Sequence, residues 1–304
     1  AGIEFDTAVF TNLTQDHLDY HGTMENYARA KARLFDLVSA HGTKTGKTAV
    51  LNADDAASET MRAHTHCPII SYGVENTADL AARDVHLAQD GMELTLVHGA
   101  AEPVKLHIGI TGLFNVYNVL AATGAAYAEK VPAADIAAAL RTFPGVPGRF
   151  ELVRAGQDFS VIVDYAHTPD GVENVLRTAR AVTSGRIIAV FGCGGDRDRT
   201  KRPLMGRMAA ELADIAILTS DNPRTEDPAA ILDEVETGIL PAIGTKPYEK
   251  IVDRRTAIFH AVGTARAGDT VVILGKGHEN YQILKDKTIH FDDRETAREA
   301  IRGL

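Results

Sequence analysis

The sequence predicts an α/β protein of two domains. Its 304 residues exceed the length that usually folds around a single hydrophobic core. Short apolar runs rich in β-formers alternate with longer amphipathic runs, a pattern typical of parallel strands joined by helices. Residues 144–149, "PGVPGR", hold two prolines and two glycines in six positions and are the best linker candidate. We therefore expect a mixed sheet before this linker and a doubly wound sheet after it.

The elements of the first half follow from apolar patterning. "TAVFTNL", "TAVLNAD" and "PIISYGV" predict strands, and a helix is expected between the first two. From Arg83 to Ile110 the apolar residues alternate and Gly or Pro turns intervene, which indicates an antiparallel patch. The predicted helices of this half span residues 24–38, 114–130 and 134–143, and the first three predicted strands span residues 7–13, 48–54 and 68–74.

The second half repeats a strand–helix rhythm. Its strands are nearly all apolar, as expected when helices cover both faces of a sheet. Polar residues follow each strand, and parallel strands place such residues at one edge, where open α/β sheets bind ligands. The predicted strands span residues 159–166, 186–194, 213–220 and 270–277, and the predicted helices span residues 170–182, 202–213, 229–239 and 255–265.

Composition narrows the class of protein. A formal net charge of −9 argues against a nucleic-acid partner, which would need a basic face. The two cysteines, Cys67 and Cys193, form no CxxC pair, so we expect a reduced, cytoplasmic protein. No apolar run approaches membrane-spanning length, and no partnership with a membrane is expected. A strand begins almost at once, without signal-peptide features, so we expect the chain to start inside a larger protein.

The loop "DNPR", residues 221–224, follows one of these apolar strands. Asn222 precedes Pro223, which favours a stiff extended turn, and Asp227-Pro228 is a typical cap and first position of a helix. Arg224 is thus predicted on a short rigid loop. A solvated arginine in an ordinary turn is the alternative, but polar clusters after four strands of one sheet favour a ligand site.

Two segments raise the question of phosphate binding. "FGCGGDRDRTKRP", residues 191–203, combines glycines with Arg197, Arg199, Lys201 and Arg202, and is a candidate anion site or else a solvated basic turn. "GTKTGKT", residues 42–48, fails the GxxxxGK[ST] spacing because His41 stands where glycine is needed, and we predict a surface loop.

Two further clusters suggest ligands. The loop "TNLTQDHLDYHG" holds two aspartates and two histidines that suit a divalent cation near phosphates, although solvated loop residues are equally expected. "GKGHE", residues 275–279, places Glu279 where it could accept hydrogen bonds from an ammonium. With Arg224 it would offer an anion and a cation to a zwitterionic amino acid. The alternative is a structural salt bridge.

Taken in order, "TNLTQDHLDYHGTMENYARAK", "FNVYN", "PGRFE", "DYAHTPD", "GCGGDRDRTKRP", "DNPR" and "GKGHE" resemble the Mur ligase family over essentially the whole chain. The resemblance implies that residues 1–146 are the C-terminal part of a central mixed-sheet ATPase domain. It implies that residues 147–304 are a Rossmann-like, amino-acid-binding domain, with closure about residues 144–149. The family's Walker loop and UDP-binding domain would lie upstream, so we expect this chain alone to be inactive.

Within the family, the resemblance is to the branch that adds meso-diaminopimelate to UDP-N-acetylmuramoyl-L-alanyl-D-glutamate, using ATP and Mg²⁺ through an acyl phosphate. It implies a monomer acting in peptidoglycan precursor synthesis. Another Mur ligase or a folylpolyglutamate-type ligase is an alternative, against which "DNPR" and "GKGHE" argue. A non-catalytic fragment that binds an amino acid or a nucleotide is a second alternative.

The resemblance also implies roles for single residues. Lys31, which by itself would be a surface lysine, matches a carbamylated lysine that holds Mg²⁺, and His17 matches a ligand of the same ion. The residues matching nucleotide contacts are Asn115, Asn118, Arg149, Asp164 and His167, and those matching the diaminopimelate pocket are Arg197, Asp221, Asn222, Pro223, Arg224, Gly275 and Glu279.

Overall fold

A computed structural model describes residues 3–14, 18–40 and 42–304, without the side chains of Leu18 and Asp19. The chain divides into two compact units, Ala1–Pro144 and Gly145–Leu304. The division falls at the start of the predicted linker, two residues before the predicted domain boundary. None of the helices in the described ranges is long and apolar enough to cross a membrane.

The first unit contains one sheet and five helices among its described residues. Its strands are β1 Thr7–Phe10, β2 Thr48–Asn52, β3 Ile69–Gly73, β4 Leu80–Ala88, β5 Gly91–His98 and β6 Val104–Ile108. Its helices are α1 Leu18–His21, α2 Met24–Ser39, α3 Ser58–Ala63, α4 Leu113–Ala128 and α5 Ala133–Arg141.

The sheet of the first unit is mixed, as predicted. Strands lie in the order β1-β2-β3-β4-β5-β6. The pairs among the first four strands are parallel, and β5 pairs antiparallel with both β4 and β6. One face packs on α2 through Ala32 and Phe35, and the other packs on α4 through Val116 and Leu120. The predicted antiparallel patch is confirmed.

The first predicted strand is too long at its end. β1 stops at Phe10, whereas the apolar pattern extended it to Leu13. The backbone N–H of Leu13 donates to Asp55 Oδ2 at 2.9 Å instead of to a neighbouring strand. Residues 42–47 precede β2 as an irregular, mostly exposed segment, which confirms the predicted surface loop.

The second unit contains a larger α/β layer and a small hairpin. Its strands are β7 Glu151–Leu152, β8 Ser160–Asp164, β9 Ile187–Phe191, β10 Ile215–Leu218, β11 Tyr248–Lys250, β12 Thr270–Leu274, β13 Tyr281–Ile283 and β14 Thr288–His290. Its helices are α6 Pro169–Val182, α7 Lys201–Leu212, α8 Pro228–Ile239, α9 Arg254–Thr264 and α10 Asp293–Arg302.

The main sheet of this unit has the order β11-β10-β9-β12-β8-β7. All its pairs are parallel except that of β7 with β8. Alternate strand residues such as Val163 and Val190 pack with Ala257 of α9 and Ala297 of α10, while α6 and α7 contact the sheet from other strand positions. The predicted doubly wound α/β fold is confirmed.

Candidate functional site

The carboxyl ends of four parallel strands share one edge of the second sheet. These strands are β8, β9, β10 and β12, and they pair in parallel register. The polar segments 164–170, 192–202, 221–224 and 275–279 begin where the four strands end. Since open α/β sheets bind ligands at this edge, the segments define the candidate site. Their predicted convergence on one edge is confirmed.

The loop after β10 is anchored in the protein rather than solvated. Asp221 and Asn222 are buried, and the carbonyl of Asp221 accepts a hydrogen bond of 2.7 Å from Gln282 Nε2. Asn222 Nδ2 donates to Glu279 Oε2 at 2.8 Å, and Asn222 Oδ1 accepts from the backbone N–H of Ile283 at 2.9 Å. Asn222 therefore connects its loop to the segment that follows β12.

Arg224 is held by both its backbone and its side chain. Its φ of 52° lies in the left-handed region, which is uncommon for a residue with a side chain. Its backbone N–H donates to the carbonyl of Ile283 at 3.1 Å. Its Nη1 donates to the carbonyl of Gly195 at 2.7 Å. Nε and Nη2 make no hydrogen bond within the described part of the chain, so one edge of the guanidinium is available to a carboxylate.

Two glycines allow close approach of the loops. Gly195 and Pro223 are so near that a Cβ on Gly195 would lie 1.9 Å from the carbonyl oxygen of Pro223. Gly275 has a φ of 114°, and a Cβ there would lie 2.4 Å from Asp221 Oδ2. A side chain at Gly195 would push two strand-end loops apart, and one at Gly275 would strain the backbone and displace the Asp221 carboxylate.

The residue that pairs with Glu279 is Lys276, not Arg224. Lys276 is fully buried, and its Nζ lies 3.1 Å from Glu279 Oε2 and 3.2 Å from Asn222 Oδ1. The structural salt bridge kept as an alternative for "GKGHE" is therefore present. Arg224 makes no ion pair among the described residues, so the site still offers a cation, whereas the carboxylate of Glu279 already has Lys276 as its partner. The sequence signal for Lys276 was its spacing of three residues from Glu279.

The predicted anion-binding role of Arg199 and Arg202 is wrong. Arg202 is fully buried and donates to Glu226 and Glu234 at 2.7 and 2.8 Å. Arg199 also forms an ion pair with Glu234. The hydrogen bonds from Arg202 lower the pKa of Glu226 to about 2, so its carboxylate stays charged. The two glutamates thus neutralise these two arginines.

The other two basic residues of the segment remain near the edge. Lys201 Nζ donates to the carbonyl of His167 at 2.9 Å, which connects the start of α7 to the loop after β8. Arg197 is exposed, and its Nη1 donates to the carbonyl of Asp196 at 3.0 Å. Arg197 makes no ion pair among the described residues, so its guanidinium is available to a ligand carboxylate.

A second cluster gathers Arg149, Asp164 and His167 at the end of β8. Asp164 is buried and accepts backbone hydrogen bonds of 2.7 Å from Phe150 and from Ala166. Burial raises the pKa of Asp164 despite these hydrogen bonds, which oppose the rise. The Arg149 guanidinium lies 4.8 Å from the centre of the Tyr165 ring, and the His167 ring lies edge-on to it at 4.7 Å.

A buried ion pair holds the ends of β10 and β12. Arg254 and Asp293 are almost completely buried and joined by hydrogen bonds of 2.8 and 2.7 Å. Arg254 also donates to the carbonyls of Ser220 and Leu274, at 3.3 and 3.0 Å. Burial disfavours the charged guanidinium, but the charge and hydrogen bonds of Asp293, together with the charges of Asp221 and Glu279, raise the pKa of Arg254. The carbonyls before "DNPR" and "GKGHE" thus share one donor.

The predicted site residues of the first unit lie on two helices. Asn115 Nδ2 donates to the carbonyl of Thr111 at 2.8 Å, and Asn118 Nδ2 donates to Asn115 Oδ1 at 3.1 Å, both at the start of α4. Lys31 is half-buried on α2, with Nζ 5.1 Å from the centre of the Tyr27 ring. His17 lies outside the described residues. Within residues 3–14, 18–40 and 42–304 no cluster of three His, Cys, Asp or Glu could hold a metal.

The fold is that of an open-sheet α/β protein, with a candidate ligand site at the carboxyl edge of its second sheet. Residues 1–126 match the Mur ligase middle domain, and residues 148–277 match the Mur ligase glutamate ligase domain. The chain belongs to the Mur ligase family.

Relatives within this family are similar over the whole chain. UDP-N-acetylmuramoyl-L-alanyl-D-glutamate–2,6-diaminopimelate ligase from Bacillus cereus is 51% identical over 303 residues, which are 99% of this chain and 61% of that protein. A solved structure of a ligase with the same name is 40% identical, with a TM-score of 0.67, and the match covers 99% of this chain and 61% of the other. A MurF ligase from Thermotoga maritima, in complex with ADP, is 16% identical and shares the fold with a TM-score of 0.69 over 99% of this chain and 61% of the other.

Proposed function

We propose that the chain is part of an ATP-dependent amide ligase that adds meso-diaminopimelate to UDP-N-acetylmuramoyl-L-alanyl-D-glutamate. The chain spans about three fifths of the length of the relatives it matches, so the whole reaction is proposed by similarity to them. Residues 147–304 would bind the amino acid, and residues 1–146 would be part of the ATPase domain. The enzyme would act as a cytoplasmic monomer in peptidoglycan synthesis.

The observation that carries the proposal is that Arg224, which makes no ion pair among the described residues, and the carboxylate of Glu279 lie on loops that Asn222 joins. Arg224 has a free guanidinium edge, and Asn222 and Glu279 form a hydrogen-bonded pair of 2.8 Å on the neighbouring loops. A zwitterionic amino-acid head matches such a site, since its carboxylate suits the planar guanidinium and its ammonium suits Glu279. This arrangement supports an amino-acid substrate over a neutral or purely anionic one.

The chain's own residues would mainly position the substrate. We assign Arg224 to the carboxylate of the diaminopimelate head far from the reacting amine, and Glu279 with Asn222 to the ammonium of that head. Arg197 would hold a second carboxylate, while Asp221, Pro223 and Gly275 shape the pocket. Formation of the amide requires a neutral, aligned amine at the other end, so a rigid grip on the far head contributes to rate as well as affinity.

The nucleotide would contact a separate set of residues. We propose Asn115 and Asn118 for the adenine side, and Arg149, Asp164 and His167 for contacts from the second unit. Mur ligases are ATP-dependent. Calorimetry with an ATP analogue on the Arg149→Ala variant tests this assignment, and affinity equal to that of the unchanged chain would contradict it.

Lys31 and His17 are proposed as metal-site residues on the resemblance alone. Among the described residues, no group of three His, Cys, Asp or Glu side chains could hold the ion by itself. Lys31 as a carbamate would carry the carboxylate that such an ion requires. A ¹³C NMR signal of a carbamate after incubation with labelled bicarbonate, absent in Lys31→Arg, would support the assignment, and its absence from the full-length protein would refute it.

Calorimetry with meso-diaminopimelate and L-lysine tests the substrate. We expect the full-length protein to bind meso-diaminopimelate at least tenfold more tightly than lysine, because lysine lacks the carboxylate that Arg224 would pair with. The substrate assignment fails if both bind equally, or if another amino acid supports substrate-dependent ADP release when meso-diaminopimelate does not.

A further inference from the structure

A fully buried lysine lies at the centre of the candidate amino-acid site. Lys276 has no exposed surface, and its Nζ lies 3.2 Å from Asn222 Oδ1 and 3.1 Å from Glu279 Oε2. It also lies 5.5 Å from the centre of the Tyr281 ring. A buried ammonium is costly unless it is paired and hydrogen-bonded, so its partners are fixed as firmly as the lysine itself.

Lys276 determines which way the Asn222 amide faces. An ammonium only donates, so it holds the amide oxygen of Asn222, which also accepts from the Ile283 N–H at 2.9 Å. The amide nitrogen is thereby directed to Glu279 Oε2, at 2.8 Å. Lys276, Asn222 and Glu279 form a closed triangle of hydrogen bonds that joins the loop after β10 to the loop after β12.

Lys276 also sets the charge of the site. The ion pair of Lys276 with Glu279 is neutral, so a bound ligand faces the net positive charge of Arg224. A zwitterionic head adds no net charge to this arrangement, whereas a cationic amine with no matching carboxylate would add an unbalanced one. The charge of Lys276 therefore disfavours amino acids that carry more ammonium groups than carboxylates.

We propose that Lys276 is a positioning residue that locks Asn222 and Glu279 into one binding unit and biases the site against cationic amino acids. The proposal rests on the proposed function for its substrate. Its first effect, the locking of the two loops, is independent of the substrate and can be measured without any ligand.

The test compares Lys276→Met with Lys246→Met. Lys246 is the control because its Nζ donates to three backbone carbonyls of the same unit, those of Ala210, Glu211 and Ala213, and to no residue of either loop. Lys276→Gln, which keeps a donor but loses the charge, is the second variant if Lys276→Met does not fold.

Amide hydrogen exchange on the 304-residue chain measures how firmly Lys276 holds the two loops together. We expect Lys276→Met to speed amide exchange at least tenfold in residues 221–224 and 280–284, and Lys246→Met to leave those segments unchanged. Unchanged exchange in the folded Lys276 variants would overturn the locking role.

Steady-state kinetics of the full-length enzyme reads the effect on the substrate. We expect Lys276→Met to raise the KM for meso-diaminopimelate at least tenfold, leave the KM for ATP within about twofold, and reduce the preference over lysine. In a Glu279→Gln background the same change should have a much smaller effect. Equal losses for both amino acids and for ATP would show a merely structural role and overturn the proposal.

The two readouts separate this inference from the proposed function. Loosened loops in an enzyme that does not use meso-diaminopimelate would support the locking role and refute the substrate. Normal use of meso-diaminopimelate by a Lys276→Met enzyme with unchanged loops would refute the role of Lys276 and leave the proposed function intact.

Discussion

Arg224 combines a left-handed backbone with a partly engaged guanidinium. Its φ of 52° follows a proline, and the N–H of Arg224 is satisfied by Ile283 of the neighbouring hairpin. A residue held in such a conformation depends on the surrounding structure to offset its strain, and such residues are concentrated at functional sites. The direction of the guanidinium is set by Gly195, whose carbonyl it donates to. The loop therefore presents a preorganised cation.

Replacing Arg224 by lysine tests this cation directly. Arg224→Lys in the full-length enzyme keeps a positive charge but removes the planar fork, and loss of a buried charge-assisted contact costs about 2–5 kcal/mol. We expect kcat/KM for meso-diaminopimelate to fall about 30-fold or more, with a parallel loss of preference over lysine. Kinetics with both amino acids measures this.

The control is Arg207→Lys, since Arg207 is exposed on α7 and pairs with Glu211. Arg207→Lys should leave kcat/KM unchanged for both meso-diaminopimelate and lysine. A fall in activity of Arg224→Lys with an unchanged preference would instead make Arg224 a structural residue of its loop.

At the scale of elements, α9 and α10 are joined by two ion pairs of very different exposure. Arg254 of α9 and Asp293 of α10 are buried, whereas the neighbouring pair of Arg255 and Glu299 joins the same two helices at the surface. Removing one partner of a buried pair leaves an uncompensated charge, whereas exposed pairs contribute little. The two pairs therefore form an internal comparison.

We expect Asp293→Ala to destabilise the second unit by about 3–5 kcal/mol, because Arg254 would remain buried without its carboxylate. Glu299→Ala should leave the free energy of unfolding nearly unchanged, because solvent screens an exposed pair. Urea unfolding of the two variants measures the difference. Equal free energies of unfolding would show that the buried pair is not a stabilising element.

The ion pair between Arg202 of α7 and Glu226, which lies just before α8, predicts a response to acid. Hydrogen bonds from Arg202 lower the pKa of Glu226 from 4.5 to about 2, so the stabilisation is complete above pH 4.5 and is lost as pH falls through 2. Glu226→Gln should therefore lower the free energy of unfolding at pH 7, and the difference from the unchanged protein should shrink towards pH 2. Glu211→Gln, in the exposed pair on α7, is the control.

Urea unfolding at a series of pH values measures this dependence. A difference between Glu226→Gln and the unchanged protein that stays constant from pH 7 to pH 2 would contradict the assigned pKa shift.

At the scale of the molecule, each unit has its own core. Val163 and Ala257 belong to the core of the second unit, and Val50 and Leu120 belong to a core of the first. A domain with its own core can fold alone. We expect residues 145–304, expressed separately, to show a cooperative thermal unfolding transition by circular dichroism. A fragment without cooperative unfolding would contradict this expectation. The control is a Val163→Asp variant of the fragment, which places a charge in the core and should abolish the cooperative transition.

The sequence by itself determined the strand–helix rhythm, the doubly wound second sheet and the edge at which the polar loops meet. These follow from local patterning, because apolar strands between amphipathic helices specify parallel pairing wherever they lie along the chain. Caps were equally local: Asp227 accepts hydrogen bonds from Ala229 and Ala230 at the start of α8, as its place before Pro228 predicted. The sequence did not predict short strands such as β7 and β11, because two or three residues are too few to show an alternating apolar pattern.

Only the tertiary structure decided which charges are free to bind a ligand. Arg199 and Arg202 are indistinguishable from Arg197 in "GDRDRTKR", yet Glu226 and Glu234, from the following helix and its approach, neutralise the first two. Lys276 likewise became a buried partner of Glu279 because the loop after β10 brings Asn222 against it. The sequence shows that a residue is charged, but its partner comes from another part of the chain. That partner determines whether the charge has a structural role or is available to a ligand.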